Sequence, residues 1–100
     1  MSERVVRHVF IRGRVQGVGY RAWVEHTALM RGIEGWVRNR RDGSVEAVFA
    51  GPAEAVAAMI DACRRGPPGA RVEAVEPGPA GADALAARSR GESFSVLSTV

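Results

Sequence analysis

The order in which strand-like and helix-like segments follow one another constrains the fold of this chain more than any other feature of its sequence. Runs rich in Val, Ile and Phe alternate with runs of helix formers, and glycine or proline stands at most of the boundaries between them. The predicted strands are residues 5–13, 33–40, 44–50, 70–76 and 93–97, and the predicted helices are residues 20–31 and 53–65. We therefore expect one α+β domain over residues 1–100.

The first six elements follow the order strand, helix, strand, strand, helix, strand. This is the ferredoxin-like βαββαβ sandwich, an antiparallel sheet with two helices on one face. In a right-handed βαβ unit the first and second strands are parallel, and the third lies between them in the opposite direction. The carboxyl ends of the first two strands then share one edge of the sheet. The loop before the first helix and the hairpin at residues 39–43 leave this edge roughly 10 Å apart, because neighbouring strands are roughly 4.8 Å apart.

Patterns within the elements give more detailed expectations. His8 is expected to be a half-exposed strand residue with no partner, and Asp42-Gly43 to form the turn of a hairpin. Gly51-Pro52 is expected to end the third strand, and residues 77–92 to form a mobile surface loop. The residues expected to supply most buried contacts of the first helix are Trp23, Ala28, Leu29 and Met30. The second helix is predicted from the helical spacing of Val56, Met59, Ile60 and Cys63.

The composition is typical of a folded soluble protein, with 46% apolar and 25% charged residues. All 14 basic residues are arginine, and the net charge of +3 suits an anionic ligand, either a small phosphate or a nucleic acid. Cys63 is the only cysteine, so an intrachain disulfide is excluded and a packing thiol is expected. The first residues lack the apolar core of a signal peptide, and no run approaches the roughly 20 apolar residues that span a bilayer. We therefore expect a cytoplasmic protein with no membrane partner.

The loop at residues 14–21, RVQGVGYR, has the composition of an anion-binding helix start. The first helix lacks a good capping side chain, while Gly17 and Gly19 allow the backbone dihedrals that let successive N–H groups converge. Arg21 in the first helical turn opposes the helix dipole, but beside an anion it would add a bidentate donor. A strand-to-helix turn with a surface arginine explains the same residues equally well at this point. The Walker and dinucleotide-binding glycine patterns are both absent.

Asn39 lies at the carboxyl end of the second predicted strand, on the same sheet edge as Arg21. Its amide could serve a ligand held by the loop. Asparagine is also common beside turns, where it satisfies the backbone of the hairpin. The position alone leaves both roles open.

Two segments, GRVQGVGYR at residues 13–21 and GWVRNRRDGSVEAVFAGP at residues 35–52, closely resemble the two signature segments of acylphosphatases. The resemblance covers residues 7–76 well and implies the ferredoxin-like fold. It also implies hydrolysis of small acyl phosphates to a carboxylate and inorganic phosphate, without metal or cofactor and with phosphate as a competitive inhibitor. By the resemblance, Arg21 binds the substrate phosphate and Asn39 positions the attacking water. The phosphate cradle that it implies consists of Gln16, Gly17, Val18, Gly19, Tyr20 and Arg21.

The sequence departs from the family pattern at Arg31, where an apolar residue is usual, and in its final strand, which is poor in aromatic residues. Two alternatives to a monomeric enzyme stay open: a non-catalytic acylphosphatase-like module and an RNA-binding ferredoxin-like module. An RNA-binding sheet would carry stacked Phe or Tyr residues in its strands, and the predicted strands lack that pattern. We therefore expect no nucleic-acid partner. The motifs do not specify the acyl group of the substrate.

Overall fold

The structure is a computed structural model that describes residues 3–100. In this range it has five strands, two α-helices and a short 3₁₀ helix, in the predicted order. The elements are β1 Arg4–Arg14, α1 Tyr20–Met30, β2 Glu34–Asn39, β3 Val45–Pro52, α2 Ala53–Cys63, β4 Arg71–Pro79, the 3₁₀ helix Ala82–Ala87, and β5 Phe94–Val96. None of the helices in residues 3–100 has the length and apolar character needed to cross a membrane.

The five strands form one sheet in the order β4-β1-β3-β2-β5. Strand β3 lies between β1 and β2 and is antiparallel to both, so β1 and β2 are parallel, as the right-handed connection predicts. This confirms the ferredoxin-like fold. The short β5 pairs in parallel with β2, which makes the sheet mixed rather than wholly antiparallel. Strand β4 ends at the sheet edge where β2 begins. Because the chain crosses from there directly to the side of β2, β5 starts at the same edge and runs parallel to β2.

The core lies between the sheet and the two helices. Alternate residues of the central strands point into it, among them Val9 and Ile11 of β1, which are fully buried. Cys63 at the end of α2 is buried too, and burial raises the pKa of its thiol to about 12, as expected for a packing thiol. The buried residues of α2 are Val56, Met59, Ala62 and Cys63.

The expectation for α1 was wrong at two positions. Leu29 and Met30 are 53% and 75% exposed, and the buried residues of this helix are Tyr20, Val24 and Ala28. These three residues are spaced four apart and form one stripe along the helix. Each step of one residue rotates the side-chain direction by about 100° around the helix axis. Leu29 and Met30 therefore point away from the stripe that faces the sheet.

Two predicted boundaries also differ from the structure. Strand β3 continues through Gly51-Pro52, where Pro52 pairs with Arg4 at the end of the ladder and its missing N–H costs little. Much of the predicted loop at 77–92 has regular structure, because β4 extends to Pro79 and the 3₁₀ helix follows. Trp36 fixes this helix to the sheet face that lacks α1 and α2, since its indole Nε1–H donates to the Ala84 carbonyl at 2.8 Å.

The same sheet face gives His8 a partner that the sequence did not reveal. Its Nε2 lies 2.6 Å from Oε2 of Glu46, a residue of β3 that is two positions away in the register of the ladder. Arg38 and Arg40 donate to Oε1 of Glu46 at 2.7 and 2.8 Å. Burial alone would raise the pKa of Glu46, but the hydrogen bonds from Arg38, His8 and Arg40 hold this pKa below its ordinary value.

Candidate active site

The loop between β1 and α1 leaves the start of the helix open to an anion. Gly19 is the N-cap residue, with φ of 77°, and no side chain of the described residues 3–100 caps the helix. Gly17 has the same φ, a value that side-chain-bearing residues rarely adopt, and a Cβ at either glycine would meet nothing within 4 Å. The glycines are therefore required by the backbone dihedrals and not by lack of space. The first N–H groups of α1 are available to a ligand, as the sequence predicted.

Arg21 is the second residue of α1 and is half-buried. No carboxylate among residues 3–100 lies within ion-pair distance of it. The first turn of the helix contains no acidic residue. The guanidinium therefore stands beside the open helix start without an anion of the protein to neutralise it.

Asn39 is the last residue of β2, and its side-chain Oδ1 is buried without a hydrogen-bond partner in the described part of the chain. Leaving a buried acceptor unpaired costs about 1–3 kcal/mol, so such groups are rare in folded proteins and often have a functional role. The backbone of Asn39 is held in place, because its carbonyl accepts a hydrogen bond from the N–H of Val100 at 3.2 Å. The sequence placed Asn39 at this edge, but the unpaired oxygen could not be predicted from it.

Gln16 joins the loop to the hairpin that carries Asn39. Its Nε2 donates to the carbonyls of Arg40 at 2.7 Å and Ser44 at 2.8 Å, which uses both hydrogens of the amide. Only the backbone of Gln16 is thus free to donate to a phosphate. No local signal could have revealed this connection, because the two carbonyls lie 24 and 28 residues away in sequence.

A cleft of ≈ 480 Å³ lies at the shared edge of β1 and β2 and brings these groups together. Five of the six predicted cradle residues and Asn39 line it, whereas Val18 does not and packs against the core instead. Tyr20 contributes through its backbone, because its hydroxyl donates to the Cys63 carbonyl at 2.6 Å and burial raises the pKa of this phenol. The lining residues that the sequence did not single out are Val15, Ala22, Glu25 and Val96.

Of these four residues, Val15 lies within the loop already predicted at residues 14–21, and Glu25 could have been found from its helical spacing. Glu25 lies four positions after Arg21 and therefore on the same face of α1. Val96 reaches the cleft only because β5 pairs with β2 in a register that places Val96 opposite Val37. The weak patterns near the end of the chain did not predict that register.

Fold and cleft together define a small ferredoxin-like α+β protein with its candidate site at the carboxyl ends of β1 and β2. The acylphosphatase family model matches residues 7–88. The chain is 63% identical over 97 residues to an acylphosphatase of Bradyrhizobium diazoefficiens, covering 97% of this chain and 98% of that one. It is 61% identical over 100 residues to an acylphosphatase of Rhodopseudomonas palustris, covering 100% of both.

A solved structure agrees with these relatives. The crystal structure of acylphosphatase from Bacillus subtilis matches with a TM-score of 0.79 and 32% identity, over 93% of this chain and 98% of that one. The chain belongs to the acylphosphatase family. Its activity is that of an acylphosphatase, the hydrolysis of the carboxyl–phosphate bond of acyl phosphates.

Proposed function

We propose that the cleft at the carboxyl ends of β1 and β2 is the active site, where water attacks the phosphorus of an acyl phosphate in line with the leaving carboxylate. One observation carries the proposal. The uncapped start of α1, the guanidinium of Arg21 and the unpaired Oδ1 of Asn39 all belong to the lining of one cleft.

Arg21 and the loop bind the phosphate. Backbone N–H groups of residues 16–20 and the bidentate guanidinium donate to its non-bridging oxygens, which carry the negative charge during phosphoryl transfer. Val18 takes part in this proposal only through its backbone, because its side chain packs against the core. These donors are held in place before the substrate arrives, so their stabilisation of the transition state requires little reorganisation. The helix dipole of α1 acts in the same direction as Arg21.

Asn39 orients the water. Its buried Oδ1 accepts a hydrogen bond from the attacking water, which replaces the partner that the protein does not provide. The water oxygen forms the new bond to phosphorus, and the bond from phosphorus to the acyl oxygen breaks with its electron pair leaving on the carboxylate. A phosphate oxygen of the substrate takes the proton, because it is bonded to the phosphorus under attack and neither Arg21 nor Asn39 can accept one near neutral pH. Glu25, the carboxylate in the lining of the cleft, lies one turn further along α1.

Other properties follow from this assignment. A carboxylate is a good leaving group, so a strong general acid is unnecessary, and the donors of the loop replace a metal ion in neutralising the phosphate. Inorganic phosphate, the product, occupies the same donors and inhibits competitively. We further propose that the protein acts as a cytoplasmic monomer and that residues 1–100 form one domain.

Steady-state hydrolysis of benzoyl phosphate by two variants tests the assignment of roles. Arg21→Ala removes a charged donor, so we expect kcat/KM to fall about 10²–10³-fold and the inhibition constant of inorganic phosphate to rise at least about 10-fold. Asn39→Ala removes the water-positioning group, so we expect a similar fall in kcat while the inhibition constant stays within about 3-fold.

Arg31→Ala is the matched control, because this exposed arginine at the other end of α1 lies outside the cleft. It should retain both constants. Wild-type turnover in Arg21→Ala or Asn39→Ala would reject the role given to that residue. Loss of wild-type activity on addition of a chelator would reject the metal-free mechanism.

A further inference from the structure

The cleft is larger than the phosphate group that the proposed mechanism places in it. Its volume is ≈ 480 Å³. A phosphate has five heavy atoms and takes up on the order of 150 Å³, if each atom occupies about the 30 Å³ of a water molecule in the liquid. The remaining space is continuous with the phosphate site and can receive at least part of the acyl group.

Two of the residues that line the cleft carry a charge, Arg21 and Glu25. Both belong to α1, and Glu25 lies one turn further from the start of the helix, about 6 Å along its axis. With the phosphate at the helix start, as proposed above, the part of the cleft that Glu25 lines lies beyond the phosphate, where space remains for the acyl group. Val96 on β5, a residue that is 39% exposed, contributes an apolar wall to the same cleft.

The carboxylate of Glu25 has no ion-pair partner in the part of the chain that the structure describes. Even Arg21, one turn away, is not within ion-pair distance of it. A phosphate bound to Arg21 would neutralise that guanidinium further. In the substrate complex, the carboxylate of Glu25 is then the charge of the cleft that acts on the acyl group.

We infer that Glu25 determines acyl-group specificity: the enzyme prefers acyl phosphates whose acyl group is neutral or cationic and disfavours those that carry a second anionic group. The inference rests on the proposed placement of the phosphate at the start of α1. Glu25 acts through the electrostatic potential of the cleft and takes no part in the bond-breaking step. Val96, Val15 and Ala22 supply apolar contacts that suit the neutral part of the acyl group.

Three substrates whose para substituents are neutral, anionic and cationic test the inference: benzoyl phosphate, 4-carboxybenzoyl phosphate and 4-trimethylammoniobenzoyl phosphate. A charge about 7 Å from Glu25 interacts with it strongly enough to change kcat/KM roughly 3- to 7-fold, at effective dielectric constants of about 40 to 80. Relative to benzoyl phosphate, Glu25→Gln should therefore raise kcat/KM by this factor for the anionic substrate and lower it similarly for the cationic one. The phosphate is common to all three substrates, so its own interaction with Glu25 cancels in these ratios, and added salt should reduce both effects.

Asp61→Asn is the matched control, because it makes the same change of net charge on α2, where the Asp61 side chain is 85% exposed. It should leave the ratio of anionic to neutral kcat/KM unchanged. The same ratio in Glu25→Gln as in Asp61→Asn would overturn the inference.

Dissociation constants of the corresponding benzoylphosphonates, measured by calorimetry, should show the same charge preference and provide a readout that does not need turnover. Phosphonate binding that stayed intact in Arg21→Ala would reject the proposed phosphate site. The charge preference, and its loss in Glu25→Gln, could still be measured separately in that case.

Discussion

At the scale of single residues, Gln16 connects the two halves of the site. Its amide donates to the carbonyls of Arg40 and Ser44, next to the end of β2 where Asn39 lies. The phosphate loop and Asn39 come from different parts of the chain, so their relative position depends on such contacts. A displacement of about 1 Å between reacting groups can cost about 10²-fold in rate.

We expect Gln16→Met, which keeps the length of the side chain and removes both donors, to lower kcat about 10-fold while the inhibition constant of phosphate changes less than about 3-fold. Gln16→Glu should be more damaging at neutral pH, because a carboxylate would face two carbonyl oxygens, and should recover partly as the pH falls and the carboxyl group becomes a donor. The pH profiles of kcat for both variants on benzoyl phosphate provide the measurement. Equal losses in the two variants at all pH values would show that Gln16 only fills space.

The residues that the sequence identified and those that it missed differ in how far their signals extend. Gly17, Gly19 and Arg21 lie within one short segment, and local rules on helix starts and positive φ were enough to mark them. The contacts of Gln16 and the partner of His8 depend on residues 24 to 38 positions away, which pattern reasoning cannot place. The unpaired oxygen of Asn39 is a property of the packed structure.

At the scale of elements, the segment that follows β5 holds the end of β2 in place. Leu97 donates to the carbonyl of Val37, Val100 donates to that of Asn39, and Arg41 donates to that of Val100, at 2.9, 3.2 and 2.7 Å. These bonds fix the backbone on both sides of the Asn39 side chain. The phosphate loop, by contrast, receives none of them.

Deletion of residues 98–100 should therefore lower kcat for benzoyl phosphate by about 3- to 10-fold and leave the inhibition constant of phosphate nearly unchanged, because only the water-positioning half of the site is loosened. Leu97→Ala is the control, since it trims a side chain and retains every backbone bond. The far-ultraviolet circular dichroism of the deletion variant should match that of the full chain. A parallel loss of phosphate affinity would indicate general loosening of the fold instead.

At the scale of the whole molecule, the arrangement of the elements was predictable because few topologies satisfy the right-handed connection and place both helices on one face. The position of β5 was not, because three residues in a strand carry almost no pattern. The face of the sheet without α1 and α2 was also poorly described by the sequence. There, His8 of β1, Arg38 of β2 and Glu46 of β3 join three strands through one carboxylate.

This carboxylate should make the stability of the molecule depend on pH. The pKa of Glu46 is lowered in the folded protein, so its contribution to the free energy of unfolding is complete above the ordinary value of 4.5 and is lost as the pH falls through the folded pKa. The side chain of Glu46 is only 6% exposed, and Glu46→Gln removes the anion that pairs with Arg38, Arg40 and His8. We expect it to cost about 1–3 kcal/mol at pH 7 and progressively less at acidic pH, as the pH falls below 4.5 and through the lowered pKa, measured by urea unfolding. Glu76→Gln, which breaks the pair with Arg12 at a side chain that is 52% exposed, should cost less than about 1 kcal/mol at neutral and at acidic pH. A loss in Glu46→Gln that did not shrink at low pH would mean that packing, and not the charge of Glu46, stabilises this face of the sheet.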